Sequence, residues 1–162
     1  MKMASSIVSE GIVLIAVVVA AAMLSQVFLT AMTGIEQSSL TMSERLGDKM
    51  KTSIQVISAV NTSSTTVKVW VKNTGTYIMP SAVIQIGDVI FGKYGELSLV
   101  EYADSGAGWD FRLLNSDDTN WQSGETIEVT ITASTVLSKG DYYFCFNTFN
   151  GVDDELYFSI GG

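Results

Sequence analysis

The residues that most often carry catalysis are scarce in this sequence. It has no histidine, the side chain that serves most often as a general base and as a metal ligand. Its one cysteine, Cys145, has no second cysteine in the chain to pair with and no histidine to activate its thiol. Cys145 lies in the apolar run 141–149, which indicates a small buried hydrophobe rather than a nucleophile.

Enzyme motifs are also missing from the sequence. It contains no P-loop, GxSxG, HExxH, CxxC or glycine-rich dinucleotide-binding loop. Asp117, Asp118 and Asn120 offer oxygen atoms of the kind that calcium prefers, but the turn glycine and closing glutamate of an EF-hand are absent. We therefore interpret 115–120 as an acidic hairpin loop. The sequence predicts a protein that is not an enzyme, without catalytic, metal-binding or cofactor-binding residues.

Glu10 is the one charged residue in an otherwise apolar N-terminal stretch. Cleavage between Ser5 and Ser6 would make it the fifth residue, where type IV pilin-like subunits carry a glutamate that neutralises a neighbour's N-terminus. The residues before Ser6 lack the basic-then-glycine pattern of such cleavage sites. The alternative is an uncleaved chain in which Glu10 lies at the cytoplasmic headgroup level. Glu10 is thus a candidate for assembly or processing.

Two further residues are candidates for contacts outside the chain. Trp70 lies between Lys68 and Lys72 in an alternating run, where it serves either as an anchor for a partner or as a half-buried sheet aromatic. Asn61 begins the tripeptide Asn-Thr-Ser on a predicted turn, which fits the acceptor pattern for N-glycosylation. We predict Trp70 as an interaction candidate and Asn61 as a glycosylation candidate.

A long apolar helix must position Glu10. Residues 7–32 contain no proline and no charge after Glu10, and as a helix they span roughly 39 Å, more than a hydrocarbon core of about 30 Å. They predict a transmembrane or pilin-like helix behind a short cytoplasmic or processed leader, 1–6. Lys2 precedes the helix, so the positive-inside rule keeps the N-terminus in the cytoplasm and exports the rest.

The helix is predicted to continue to residue 52 in an amphipathic form. Leu40, Met42, Leu46 and Met50 follow an approximate four-residue spacing with charged residues between them. This apolar stripe packs either on the sheet of the following domain or on the helix of a neighbouring subunit. Both interpretations are compatible with the pattern.

From residue 53 to 162 the apolar period changes from helical to two. Val67, Val69 and Val71 alternate with polar or aromatic residues, and turn residues bound each short run. Asn150-Gly151 predicts a type I′ turn between the last two strands. The pattern predicts an antiparallel, immunoglobulin-like β-sandwich. The predicted strands are 53–60, 66–73, 82–86, 88–91, 96–102, 109–114, 126–132, 141–147 and 154–160.

The charge of the chain excludes some partners. The formal net charge is −8, and from Ile90 onward twelve acidic residues face only three basic ones. Nucleic-acid binding needs a basic surface, so we predict no nucleic-acid partner. The acidic domain is likewise unsuited to docking on anionic lipid headgroups.

Two stretches of the sequence, 43–57 directly after the apolar helix and 69–76, are moderately specific. They resemble archaeal flagellar (archaellum) protein G, with weaker similarity at 90–92, 121–126, 140–144 and 150–151. The resemblance implies a single-pass protein of the cell membrane with an immunoglobulin-like domain outside the cell beneath the S-layer. It also implies a stator-like archaellum component that acts with the S-layer-binding flagellar protein F. It implies no catalytic or cofactor residues.

Two other functions remain open from the sequence. An archaellin or type IV pilin-like filament subunit shares the apolar helix and the β-rich domain, and it differs by cleavage before the helix and extraction into filaments. A membrane-tethered binding protein for a soluble ligand or a cell-surface sugar would show ligand-dependent thermal stabilisation. For the stator-like component and for the filament subunit, we predict a homo-oligomer or filament that forms through the helix and the β-sandwich.

Overall fold

The computed structural model of the protein describes residues 2–114 and 119–161, with side chains from Val8 onward. Asp117 and Asp118 of the predicted acidic loop lie outside the described residues. Contacts along the chain define two compact units, Met1–Glu44 and Arg45–Gly162. The last turns of the N-terminal helix thus belong to the same unit as the sheets.

The N-terminal helix α1 runs from Lys2 to Lys51 as one element of 50 residues. Within the described residues it is the one helix long and apolar enough, by length and composition, to cross a membrane. Its apolar side chains, such as Leu24 and Phe28, are exposed. The Ser25 and Thr30 hydroxyls donate to carbonyl oxygens four residues earlier, both at 2.9 Å, so these polar groups are satisfied inside the helix.

Ten short strands and one helical turn follow α1 in the described part of the chain. Turns and bends that contain glycine, asparagine, aspartate or serine separate most of them. The elements are β1 (Ile54–Asn61), β2 (Thr66–Asn73), β3 (Met79–Pro80), α2 (Ser81–Ile84), β4 (Asp88–Lys93), β5 (Glu96–Val100), β6 (Gly108–Leu113), β7 (Asn120–Trp121), β8 (Thr126–Thr132), β9 (Gly140–Asn147) and β10 (Asp153–Ile160).

Two four-stranded antiparallel sheets form the sandwich. One has the strand order β1-β2-β8-β6 and the other β10-β9-β4-β5, and the short strands β3 and β7 pair separately. Strands that are distant in sequence, such as β2 and β8, are hydrogen-bonded neighbours, so the sheets connect distant parts of the chain. This architecture confirms the predicted fold, a long N-terminal apolar helix followed by an antiparallel β-sandwich.

The core lies between the two sheets and follows the period of two. Val67, Val69 and Val71 on β2 are fully buried, as are Ile127 and Val129 on the neighbouring β8. The facing sheet contributes mainly aromatic rings. Its buried side chains include Phe91, Phe144 and Phe146. Trp109 of β6 and Trp121 of β7 pack on Phe146 with ring centroids 5.7 and 6.4 Å away. Rings this large bury much apolar area, which suits a domain without a disulfide.

The predicted strand 82–86 is wrong, because this segment forms the helical turn α2. Pro80 precedes it in an extended conformation, and the Gln85 N–H donates to the Ser81 carbonyl at 3.1 Å. Ile84 is buried whereas Ile86 is exposed, so one apolar residue of the run enters the core. The alternation in this short run did not distinguish a strand from a turn.

The hairpin between β9 and β10 is as predicted, but its turn type is not. A type I′ turn needs a positive φ at both central residues, and among the described residues only glycines have one. Gly151 has φ +74°, and its N–H donates to the Thr148 carbonyl at 2.9 Å. Asn150 keeps a negative φ, so the loop is a longer turn closed by a left-handed glycine.

Candidate assembly surfaces and the helix junction

The three residues singled out from the sequence lie in separate places. Glu10 is exposed on α1 in the helical unit. The prediction of an exposed turn at Asn61 is wrong, because Asn61 ends β1, is half-buried and pairs with Val67 on the core side of the sheet. Trp70 is half-buried on the opposite face of the same sheet, paired with Ser58. Asn61 and Trp70 therefore form no common site.

Trp70 lies in the outer face of the sheet β1-β2-β8-β6. The strand registers place Lys68, Trp70 and Lys72 of β2 beside Glu128 of β8, and Arg112 of β6 next to Glu128. Three cations thus share this face with two carboxylates. We call it the basic face and define it by Val60, Lys68, Trp70, Lys72, Asp110, Arg112, Glu128 and Thr130.

A shared carboxylate orders the basic face. Glu128 is only 7% exposed, and its Oε1 accepts from Lys68 Nζ at 2.8 Å and from an Arg112 Nη at 3.3 Å. Two partners satisfy this buried charge, as a carboxylate at a sheet centre requires. Lys72 forms no ion pair with any described residue, so its charge is available to a partner.

The outer face of the other sheet has the opposite character. The registers across β10, β9, β4 and β5 place side chains in rows, such as Tyr157, Tyr143, Gly92 and Leu97. Four carboxylates share this face, and no lysine or arginine does among its described residues. We call it the acidic face and define it by Asp88, Ile90, Leu97, Leu99, Asp141, Tyr143, Cys145, Asp153, Glu155 and Tyr157.

The acidic face also carries apolar surface. Tyr157, Leu97 and Leu99 are 57%, 48% and 61% exposed. The Tyr143 hydroxyl donates to Glu155 at 2.6 Å. This hydrogen bond is the larger cause, and burial the second, of the raised pKa of Tyr143. Its phenol therefore stays neutral. The residues of this face come from four separated strands, so the sequence does not predict it. The alternation of Asp153, Glu155 and Tyr157 in β10 is the signal that the sequence offers.

Cys145 lies within the acidic face but is only 5% exposed. Burial raises the pKa of its thiol, so little of the reactive thiolate forms at neutral pH. Burial outweighs the hydrogen bond to Tyr143, which lowers the pKa of the thiol, so the net effect disfavours the thiolate. This agrees with the interpretation of Cys145 as a small buried hydrophobe.

The end of α1 is bonded to the loop that follows β2. The Lys51 carbonyl accepts from the N–H groups of Thr76 and Tyr77 at 2.8 and 3.1 Å. Asn73, fully buried, donates to the Tyr77 carbonyl at 2.9 Å and accepts from the Gly75 N–H at 3.0 Å. Residues 73–76, which carried part of the resemblance, therefore satisfy a carbonyl that a helix C-terminus leaves free.

A second loop holds the end of α1 from the other sheet. Thr52 is buried and donates its hydroxyl to the Asp48 carbonyl at 2.8 Å. It also accepts from the Asn150 amide, at 2.8 Å, in the β9–β10 turn. Both sheets thus fix the last turn of α1, and we call residues 48–52, 73–77 and 148–152 the junction.

The apolar stripe of α1 does not pack on the sheets within the sandwich unit. Leu46 and Met50 are 52% and 87% exposed.

A cleft of about 550 Å³ lies beside the β4–β5 hairpin and is lined by Lys93 and Glu96 among others. Lys93 already donates to Ser138 and to the Lys139 carbonyl, so this cleft carries no ligand assignment.

Solved structures resemble this sandwich. The archaellum periplasmic stator protein FlaG from Sulfolobus acidocaldarius is similar with a TM-score of 0.57 and 29% identity, over 66% of this chain and 99% of that chain. A chain of the archaellum periplasmic stator protein complex of FlaF and FlaG from the same organism gives 0.56 and 29%, over 65% and 87%. The resemblance to archaellum protein G is thereby confirmed.

Sequence comparisons extend over both units. An uncharacterized protein of Archaeoglobus fulgidus is 30% identical in an alignment of 163 residues, which covers 97% of this chain and 99% of that protein. The model of the archaeal-type flagellin family matches residues 4–158, from the first turns of α1 to β10. The protein therefore belongs to the archaeal-type flagellin family and is an archaellum component similar to FlaG.

Proposed function

We propose that the protein is a membrane-anchored, stator-like component of the archaellum that links the cell membrane to the S-layer. The observation that carries this proposal is the similarity of the sandwich to FlaG over nearly the whole of the solved FlaG chain. The proposed role is structural, since the outer faces and the junction offer contacts rather than reactive groups.

The anchor in this proposal is helix α1. Its apolar segment is long enough to span a bilayer with its backbone groups bonded internally, which a membrane requires. Lys2 keeps the N-terminus in the cytoplasm and places the sandwich outside the cell, beneath the S-layer. The N-terminus is retained, and Glu10 then lies at headgroup level.

The junction suits a part that must resist force. The hydrogen bonds of Lys51, Thr52 and Asn73 join the end of the helix to loops of both sheets. Within the sandwich unit, a load on the sheets reaches the last turn of α1 through these hydrogen bonds. The proposed partners are other copies of the chain and a flagellar protein F, since FlaG is known in a complex with FlaF.

A second candidate function is that of a filament subunit, an archaellin or type IV pilin-like protein. The match of the archaeal-type flagellin family to residues 4–158 favours it. In this alternative the chain is cleaved before Ser6, Glu10 neutralises the N-terminus of a neighbour, and α1 packs in a filament core. Glycosylation at Asn61 is compatible with both functions, and mass spectrometry of the native protein tests it.

The two functions are separated by purifying the full-length protein from native membranes. The stator proposal expects an N-terminus that begins at Met1 or Lys2 and binding to protein F of the same organism. Recovery of this chain as the main subunit of purified archaella, beginning at Ser6, would contradict the stator proposal and support the filament subunit.

A matched pair of variants adds a second test. Glu10→Gln removes the charge that the filament alternative needs, whereas Glu36→Gln removes a charge elsewhere on the same helix. The stator proposal expects both variants to reach the membrane and to bind protein F as the wild type does. Loss of assembly in Glu10→Gln alone favours the filament subunit.

A further inference from the structure

The two outer faces of the sandwich carry opposite charge. The basic face has Lys68, Lys72 and Arg112 against Asp110 and Glu128. The acidic face has four carboxylates, and the described residues form no ion pair with any of them. In a chain with a net charge of −8, this excess of cations on one face is a local feature. Surfaces of opposite charge on two molecules attract each other, and this attraction sets the orientation of their contact.

Both faces also expose apolar side chains beside these charges. On the basic face Val60 is 48% exposed and lies near the half-buried Trp70. On the acidic face Tyr157 and Leu99 are exposed by more than half. Aromatic residues are enriched at the centres of protein interfaces, and polar or charged groups surround them at the rim. Each face therefore has both the charge and the apolar surface that a contact needs.

We propose that copies of this chain stack through these faces, the basic face of one sandwich on the acidic face of the next. The inference rests on the self-association in the proposed function and adds the surfaces and their polarity. Lys72 faces the carboxylates Asp153 and Glu155 of the next copy, and Trp70 packs on its tyrosines. The Lys68–Glu128–Arg112 group keeps the contact surface of β2 ordered.

The geometry prevents this contact from closing in a pair. The two sheets pack around one core, so their outer faces point in opposite directions. A contact between unlike faces leaves one free face of each kind in every pair, so further copies can add. Contact between two acidic faces would bring eight carboxylates together, which like-charge repulsion disfavours.

The test uses two variants of the full-length protein in detergent. The basic-face variant combines Trp70→Ala with Lys72→Gln, and the acidic-face variant combines Tyr157→Ala with Asp153→Asn, so that the altered faces carry no new opposite charges. Lys139→Gln and Glu101→Gln, both outside the two faces, are charge-matched controls. Circular dichroism and thermal unfolding establish that each variant is folded, and analytical ultracentrifugation measures the mass against concentration.

The wild type and the controls are expected to grow in mass with concentration without stopping at a dimer. Each face variant alone is expected to associate at least about tenfold more weakly. An equimolar mixture of the two variants is expected to form a dimer and nothing larger, since only one intact basic face and one intact acidic face then meet.

Three results would overturn the stacking. They are a wild type that stops at a dimer, a face variant that assembles like the wild type, and folded variants whose mixture stays monomeric. If the protein still binds protein F in these cases, the proposed function survives and only the surfaces are wrong. If the wild type neither self-associates nor binds protein F, the proposed function itself fails.

Discussion

At the scale of single residues, buried polar side chains carry the junction. Asn73 is fully buried, and its amide bonds the Tyr77 and Trp121 carbonyls at 2.9 and 3.2 Å. Such a group is costly to bury without partners, so its bonds fix the loop in one arrangement. Gly75 follows two residues later, where a Cβ would collide with the Lys51 carbonyl oxygen. An asparagine at 73 and a glycine at 75 suit this loop because its backbone approaches that of Lys51 closely.

We expect Gly75→Ala to lower the free energy of unfolding by about 2–3 kcal/mol, because the added methyl group must displace backbone atoms of Lys51 and Ser53. Urea unfolding of the protein, followed by tryptophan fluorescence, measures the loss. Gly47→Ala is the control, since its site on α1 is open and alanine is the better helix former. Equal effects of the two substitutions would contradict the role of the junction.

Tyr102 provides a pH-dependent test at the same scale. Burial, together with a hydrogen bond donated to Asp104 at 2.6 Å, raises the pKa of Tyr102 from 10.0 to about 12. A raised folded-state pKa means that its contribution to stability is complete below pH 10 and is lost as the pH rises through about 12. We expect Tyr102→Phe to lower the amplitude of the tyrosinate absorbance step near pH 12 by one tyrosine. An unchanged titration in this variant would contradict the assignment.

At the scale of elements, the exposed edges of the sheets are partly protected. The β1 edge lies against β10, and Asp154 accepts from the Val56 N–H at 2.6 Å next to a bulge in β1. The carboxylate thereby accepts a hydrogen bond from a backbone N–H that an edge strand leaves unpaired. The β5 edge has no strand beyond it in the described residues, and both of its leucines are exposed.

We expect Asp154→Ala to lower the free energy of unfolding by about 1.5–3 kcal/mol, since it leaves a part-buried N–H without its charged acceptor. Asp154→Asn keeps an oxygen acceptor, so its loss should be smaller. Asp153→Ala, at an exposed neighbouring position, should change stability by no more than about 0.5 kcal/mol. Thermal unfolding compares the three variants, and similar losses in all of them would refute the edge contact.

At the scale of the whole molecule, the two compact units have different kinds of stability. The sandwich is held by a packed core between two sheets, whereas the apolar side chains of α1 are exposed and have no core of their own. In the proposed membrane location, the lipid covers these side chains and the helix satisfies its backbone internally. The helix then does not depend on the sandwich for its structure.

We therefore expect urea to unfold the full-length protein in detergent in two stages. The tryptophan fluorescence change should be complete while most of the helical circular dichroism remains, since all three tryptophans lie in the sandwich. A single cooperative loss of both signals would show that α1 depends on the sandwich. The control is the same titration without detergent, in which the helix has no apolar solvent.

The sequence by itself determined the long N-terminal helix and most of the strands that follow it. The uncharged run to Met32 predicts the helix, and the alternation around Val67–Val71 predicts strands with one buried face, because these periods decide which side chains can share a surface. It also determined that Trp70 lies on the face opposite the valines. The run 82–86 was mispredicted, since a short apolar segment fits a strand and a helical turn equally well.

Only the tertiary structure decided which distant residues meet. The acidic face combines residues of β4, β5, β9 and β10, and the junction joins Lys51 to Thr76 and Thr52 to Asn150. These contacts depend on strand order and register, which local periodicity does not encode. The packing of the two sheets therefore decides where the charges lie and which surfaces are free for a partner.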